Sequence, residues 1–108
     1  MTAEGVDLAA TARRAAAILD TMPVGTFRGR ALGRDWLLTR SLHARGASEK
    51  LVGRALDGTG YVSLNLYRLA TGPRLRPCEM PVARVMAVLN DLTVADAPDR
   101  LASGRAAP

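Results

Sequence analysis

Residues 61–67 read YVSLNLY, and they alternate between apolar and polar side chains. Val62, Leu64 and Leu66 recur every two residues, which is the period at which side chains return to one face of a β-strand. In a helix the same three side chains would spread around the circumference. The segment is therefore predicted to be a strand with one buried face, and a strand of this kind needs other strands beside it.

Two predicted hairpins supply those neighbouring strands. Residues 26–31 alternate in polarity, residues 32–35 can form a tight connection, and residues 36–43 are rich in large and β-branched side chains. After the segment 61–67, residues 70–73 read ATGP and have turn chemistry. Residues 74–76 then alternate again. The pattern predicts one hairpin on each side of the middle of the chain.

Three segments have helical spacing. Residues 7–21 are rich in alanine, with apolar side chains at three- and four-residue steps and Asp7 placed as the N-cap. Residues 48–58 place Leu51, Val52, Ala55 and Leu56 on one side of a helix, which Gly58 would close. A third helix begins near Pro81, which suits a first helical turn. Its predicted buried stripe is Val82, Val85, Met86, Leu89 and Leu92.

The predicted fold class is α+β. A small, mostly antiparallel four-stranded sheet made of two hairpins packs against helices on one side, in the order α-ββ-α-ββ-α. The length of 108 residues and the 48% hydrophobic content suit a single core. Residues 1–94 are predicted to form one α+β domain, and residues 95–108, which are small and polar, a flexible C-terminal tail.

Several functional classes are disfavoured by composition. Cys78 is the sole cysteine, so an internal disulfide and a multi-cysteine metal site are excluded. The carboxylates are scattered, and His43 has no nearby acid or nucleophile in the sequence, so neither a metal site nor a catalytic constellation is expected. With no secretion signal or apolar membrane span, we expect a cytoplasmic protein that needs no cofactor, contacts no membrane and is not an enzyme.

The positive charge is concentrated in the middle of the chain. The net charge is +5 overall, but residues 21–90 hold eleven basic residues against four acidic ones, a net charge of +7. Each end of the chain is slightly acidic. A basic folded region attracts polyanions because binding releases their counterions.

Alternation predicts which side chains share the exposed face of the sheet. If the polar faces of the strands coincide, the arginines and the polar and aromatic groups of residues 61–67 lie together, as on sheets that bind single strands. The predicted nucleic-acid-binding residues, for DNA or RNA, are Arg28, Arg30, Arg74, Arg76, Tyr61, Ser63, Asn65 and Tyr67. The competing interpretation is that an exposed sheet face must be polar and carries arginine for solubility alone.

Three other hypotheses remain open at this point. The domain could be a protein-interaction or homo-oligomeric accessory module, whose sheet edge or open face binds a partner or another copy. Residues 50–69 loosely resemble a helix-turn-helix, with the turn at Gly58, although the two-residue period favours a strand from residue 61. Cys78 could be a reactive thiol if the N-terminus of the third helix lowers its pKa.

Overall fold

A computed structural model describes residues 7–78 and 80–95 of the chain. Within these residues the chain forms two α-helices, six strands and one short 3₁₀ turn at Ala44–Gly46. The elements in chain order are α1 (Leu8–Leu19), β1 (Gly25–Ala31), β2 (Arg34–His43), β3 (Ser48–Ala55), β4 (Tyr61–Leu69), β5 (Gly72–Pro77), α2 (Val82–Asp91) and β6 (Thr93–Val94).

All the described strands join one antiparallel sheet in the order β5-β4-β3-β2-β1-β6. Strands β1 to β5 form a meander, because each one pairs with the next along the chain. Helix α2 then carries the chain from the β5 edge back to the opposite edge, where β6 pairs with β1 at Gly29 and Arg30. The central strand of the meander is β3.

The predicted four-stranded sheet with the order α-ββ-α-ββ-α is wrong. The described residues give a six-stranded sheet with the order α-βββββ-α-β, because the segment predicted as a middle helix is strand β3. The helix-turn-helix interpretation of residues 50–69 fails for the same reason, since these residues lie mostly in the β3–β4 hairpin. Both errors come from reading Leu51, Val52, Ala55 and Leu56 at helical spacing.

The first helix and the two predicted hairpins are confirmed. Asp7 caps α1, and its Oδ1 accepts hydrogen bonds from the backbone N–H groups of Ala9 and Ala10 at 3.0 and 3.1 Å. All of β1 pairs with residues 34–40 of β2, and all of β5 pairs with residues 64–69 of β4. These segments carried the clearest periodicity in the sequence.

The β1–β2 turn consists of Leu32 and Gly33, both with positive φ, at 55° and 74°. Two positive φ values are the signature of a two-residue type I′ turn, whose twist matches that of the strands it joins. The N–H of Leu32 donates to Asp91 Oδ2 at 2.6 Å, so the end of α2 is tied to this turn.

Both helices pack on one face of the sheet, which we call the inner face; the opposite face is the outer face. The buried core combines the apolar side of α1, the apolar side of α2 and the inward-pointing residues of the strands. Trp36 lies at its centre, and its indole N–H donates to Ala31 O at 2.9 Å. The largest fully buried apolar side chains are Trp36, Leu19, Leu38, Leu51, Leu64, Leu66, Leu89, Val62, Val85 and Val88.

Helix α2 differs from its prediction in detail. Pro81 is the N-cap and not the first helical residue, and Val88 is buried alongside the predicted Val85 and Leu89. The short strand β6 that follows was not predicted. Of the predicted C-terminal tail, residues 96–108 lie outside the described residues. Among the residues that are described, no helix combines the length and the apolar character that crossing a membrane requires.

Candidate nucleic-acid interface

All eight predicted site residues occupy outer-face positions of the sheet. Arg28 and Arg30 lie on β1, and Arg74 and Arg76 on β5, all exposed and all out of phase with the buried residues of their strands. The remaining four residues, Tyr61, Ser63, Asn65 and Tyr67, follow one another along β4. Strands β1 and β5 are four inter-strand steps apart, about 19 Å at the usual spacing of ~4.8 Å.

Strand β3 fills that gap with two cations that the sequence analysis missed. Lys50 and Arg54 are exposed on the outer face, next to the buried Glu49, Leu51 and Ala55. They were missed because residues 48–58 were predicted to be helical, which placed them on a helix surface. The signal that could have found them is the alternation of Lys50 and Arg54 with the small and apolar residues Leu51, Gly53 and Ala55.

The strand register puts each tyrosine directly beside an arginine. Arg54 pairs with Tyr61 across β3 and β4, and Arg74 pairs with Tyr67 across β4 and β5. Directly paired side chains in an antiparallel sheet have Cβ atoms about 4.5–5.5 Å apart. The outer face therefore carries two tyrosine–arginine pairs, one near each end of β4.

Between those pairs runs a polar row formed by Lys50, Asn65 and Arg76, which are partners in register. Asn65 Nδ2 donates to Cys78 Sγ at 3.2 Å, so this amide is partly engaged within the protein. Ser63 is only 3% exposed. Its hydroxyl is therefore not available at the surface, unlike the other members of the predicted set.

Five outer-face cations, Arg28, Lys50, Arg54, Arg74 and Arg76, make no ion pair with any other described residue. We call these five residues the basic face. Arg30 differs, because its Nη1 lies 2.9 Å from Asp35 Oδ1. Asp35 is also the one carboxylate on the outer side of β1 to β5. Within residues 7–78 and 80–95, the outer face thus presents a positive surface with little compensating negative charge.

On the inner face, by contrast, the charged side chains are held in ion pairs. Arg40 Nε donates to Glu49 Oε1 at 2.8 Å, and Arg68 Nη2 donates to Glu49 Oε2 at 2.8 Å. Arg68 Nη2 also donates to Asp20 Oδ1 at 2.7 Å, at the end of α1. Arg40 Nη1 completes the cluster by donating to Met22 O at 2.6 Å. We call Asp20, Arg40, Glu49 and Arg68 the inner ion cluster.

Glu49 is the centre of this cluster and is only 1% exposed. Burial works to raise the pKa of its carboxyl, but the hydrogen bonds and charges of Arg40 and Arg68 outweigh burial, and the pKa is lowered. Glu49 is therefore ionised at neutral pH. Its partners are already occupied, so this cluster has a structural role.

The residues considered for catalysis remain isolated from one another. His43 is exposed at the end of β2, and its Nε2 lies 3.0 Å from Ser41 Oγ. Cys78 continues the β5 ladder, where its N–H donates to Ser63 O at 3.0 Å. Among the described residues, no three histidine, cysteine or acidic side chains are grouped as metal ligands.

A groove of about 410 Å³ lies between the start of α1 and strand β5, and its lining includes Arg74 and Arg76 of the basic face. Its apolar lining includes Leu8, Leu69, Leu75 and Val82. Two of these side chains, Leu8 and Leu69, are largely exposed. The groove runs beside the open edge of the sheet.

That open edge of β5 has few hydrogen-bond donors. The N–H of Cys78 points toward β4, and alternation gives Arg76 and Arg74 the same direction. Pro73, Leu75 and Pro77 therefore turn their backbone nitrogens outward, and the two prolines have no N–H to donate. Between residues 73 and 77, Leu75 alone offers a donor to a further strand.

No protein-family model, curated protein or solved structure matches this chain. Function is therefore inferred from the geometry and charge of the molecule itself.

Proposed function

We propose that the protein binds nucleic acid through the outer face of its sheet. The observation that carries the proposal is the basic face, five cations spread over strands β1, β3 and β5 with no ion-pair partner among the described residues. Arginine and lysine that only served solubility would be free to lie on any surface. The five cations of the basic face share one side of one sheet with two exposed tyrosines, while other exposed arginines, such as Arg13 on α1 and Arg84 on α2, lie on the helices of the opposite side.

The strength of such binding should depend steeply on salt. Each phosphate that a cation neutralises releases counterions, and for a single strand the slope of log K against log salt is about −0.7 per phosphate. If all five cations of the basic face contact phosphates, the slope is about −3.5. Raising the salt from 50 to 200 mM should then weaken binding roughly 100-fold.

The direct test is a fluorescence anisotropy titration of labelled oligonucleotides at several salt concentrations. We expect binding at low salt with a slope of several units. No binding at 50 mM salt, or an affinity indifferent to salt, would remove the proposal.

A matched pair of variants separates the basic face from the net charge of the protein. Arg54→Glu reverses a charge in the middle of the outer face, whereas Arg13→Glu reverses an exposed charge on α1, on the other side of the sheet. Both variants lower the net charge by two. We expect Arg54→Glu to weaken binding by tenfold or more and Arg13→Glu by less than threefold, and equal losses would show that no particular face is used.

A second function, docking of a protein partner, is favoured by the groove beside β5 and its exposed Leu8 and Leu69. Pairing of two copies through β5 is disfavoured, because Pro73 and Pro77 remove donors and antiparallel pairing centred on Leu75 would set Arg74 against Arg76. Light scattering tests this alternative. A dimer that Leu69→Asp dissociates would support docking at the groove, whereas a monomer would exclude self-association.

A further inference from the structure

We infer that the ligand is a single strand, which lies along β4 and stacks unpaired bases on Tyr61 and Tyr67. This inference rests on the proposed function and narrows it. It excludes a duplex as the preferred ligand, and it assigns the path that the single-stranded nucleic acid follows over the sheet.

The first reason is the arrangement of charge on either side of β4. Lys50 and Arg54 lie on the β3 side of β4, and Arg74 and Arg76 lie on the β5 side. Each flanking strand is about 4.8 Å from β4. A polyanion that follows β4 therefore meets cations on both sides at Asn65, Arg54 beside Tyr61 and Arg74 beside Tyr67. Strand β2 is also flanked by cations, since Arg28 and Arg54 both pair with Leu37, but its outer-face positions carry no tyrosine.

The second reason is the pairing of each tyrosine with an arginine. Tyr61 is 44% exposed and Tyr67 is 37% exposed, so each ring has a face available to solvent. A base can stack on the ring, while the guanidinium of Arg54 or Arg74 contacts the adjoining phosphate. This pairing of a tyrosine with an arginine occurs twice along strand β4.

The third reason is the short side chains in the middle of the proposed binding track, which is the outer face of β4 from Tyr61 to Tyr67. Ser63 is buried between the two tyrosines, and Asn65 is half-buried beside it. Serine and asparagine are shorter than the tyrosines at either end and than the neighbouring lysine and arginines, so the side chains in the middle of β4 project less than those around them. A backbone with its bases turned out can follow such a shallow track.

The length of the track sets the size of the site. Tyr61 and Tyr67 are six residues apart on β4, about 20 Å at ~3.3 Å per residue. A stacked strand rises about 3.4 Å per nucleotide, so roughly six nucleotides span the two rings, and fewer do so when the bases are splayed.

A duplex does not use these features. Its bases are paired and stacked internally, so their faces are closed to the tyrosines, and a broad sheet face does not enter a groove as a helix or a two-stranded ribbon does. A duplex would contact the outer face through phosphates alone. The preference for a single strand is therefore the property that distinguishes this inference from general polyanion binding.

The experiment compares labelled (dT)12, (rU)12 and a 12-base-pair DNA duplex at one salt concentration, with oligo(dT) of 3, 6 and 9 nucleotides to define the site. We expect the two single strands to agree within a few fold, because stacking and phosphate contacts are common to both sugars. The duplex should bind at least tenfold more weakly. Affinity should rise steeply up to about six nucleotides.

Matched tyrosine variants test the stacking itself. Tyr61→Leu and Tyr67→Leu should each weaken single-strand binding by about five- to 150-fold, the range for one base–aromatic stack, while leaving duplex binding nearly unchanged. Tyr61→Phe and Tyr67→Phe keep the ring and should change affinity less than twofold. Thermal unfolding of each variant shows whether the fold is retained.

The outcomes separate this inference from the proposed function. If the duplex binds as tightly as (dT)12, or if folded leucine variants bind single strands with the affinity of the parent protein, the inference that a single strand stacks along β4 is wrong. Salt-dependent binding that Arg54→Glu still weakens would leave the proposed function standing in that case. If no probe binds at low salt, both fall together.

Discussion

Arginine side chains have opposite environments on the two faces of the sheet. On the inner face, Arg40 and Arg68 bind carboxylates at 2.8 Å, and Arg40 is buried. On the outer face, Arg54 and Arg74 are exposed and make no ion pair with another described residue. The inner arginines hold the fold together through Glu49, whereas the outer arginines contribute little to it and are available to a ligand.

The difference shows that neither arginine content nor net charge reveals which cations are held in ion pairs and which are exposed. Glu49 and Lys50 are adjacent in the sequence, yet one is 1% exposed at the centre of the inner ion cluster and the other faces solvent. Strand alternation alone separates the two roles. Substitutions at neighbouring positions are therefore the sharpest way to test the comparison.

The largest effect is expected at Glu49. Glu49→Ala removes the acceptor shared by Arg40 and Arg68 and leaves the buried Arg40 with only the exposed Asp20, 3.7 Å away, as a carboxylate partner, so we expect a loss of about 3–5 kcal/mol in the free energy of unfolding. Lys50→Ala, one residue along, should change it by less than about 0.5 kcal/mol. Urea denaturation measures both, and similar losses in the two variants would contradict the division between the faces.

The next effect is expected at Gly53. A Cβ added there would lie 2.9 Å from Leu38 Cδ2 and 3.0 Å from Val62 Cγ1, closer than packed atoms tolerate. Gly53→Ala should therefore cost about 1–3 kcal/mol through overpacking. Arg54→Ala is the outer-face control and should lie within about 0.5 kcal/mol of the parent protein while weakening nucleic-acid binding. A neutral Gly53→Ala would show that the inner face is loosely packed at its centre.

Acid should act on the inner ion cluster. The pKa of Glu49 is lower in the folded state than in the unfolded state, so its ionised form stabilises the protein above the unfolded-state value of about 4.3. That contribution is lost as the pH falls through the folded-state pKa. Thermal unfolding between pH 7 and pH 3 should thus show a smaller loss of stability for Glu49→Gln than for the parent protein, relative to each protein at pH 7.

The smallest effect is expected at Arg30. Its ion pair with Asp35 lies on the exposed outer face, where such pairs contribute about 0.2–1 kcal/mol and are screened by salt. Arg30→Ala should therefore lower stability by no more than this amount, and less at 0.5 M salt. A loss as large as that of Glu49→Ala would erase the distinction between exposed and buried pairs.

The contrast between β4, which the sequence predicted, and β3, which it did not, lies in what their buried faces contain. In β4 the inward residues Val62, Leu64 and Leu66 produce an unbroken two-residue period. In β3 the inward residues include Glu49 and Gly53, a charged side chain and a residue with no side chain, so the same period is hidden. The remaining apolar residues then fall at helical spacing by coincidence.

One signal in the sequence pointed to the missing partner. Arg40 follows Trp36 and Leu38 at two-residue steps in the sequence, which puts it on the apolar face of β2, and a buried arginine requires a carboxylate nearby. Glu49 is that carboxylate, and recognising it would have required β3 to be a strand antiparallel to β2. Pairing of this kind depends on tertiary contacts, which local periodicity does not contain.

The outer face was predicted more completely than the topology that builds it. Alternation within each strand is local, so the eight proposed residues could be assigned to the polar side without knowing the strand order. The distance between β1 and β5, the addition of Lys50 and Arg54, and the burial of Ser63 all depend on strand order and packing. These properties could not be read from single segments.

The packing of α1 against β5 also constrains how the chain reaches its fold. Helix α1 is the first described element to leave the ribosome, and β5, its main contact, is completed more than fifty residues later. An alanine-rich helix of twelve residues is marginal on its own. Its docking therefore waits until the meander is synthesised, which makes these contacts long in sequence separation and slow to form.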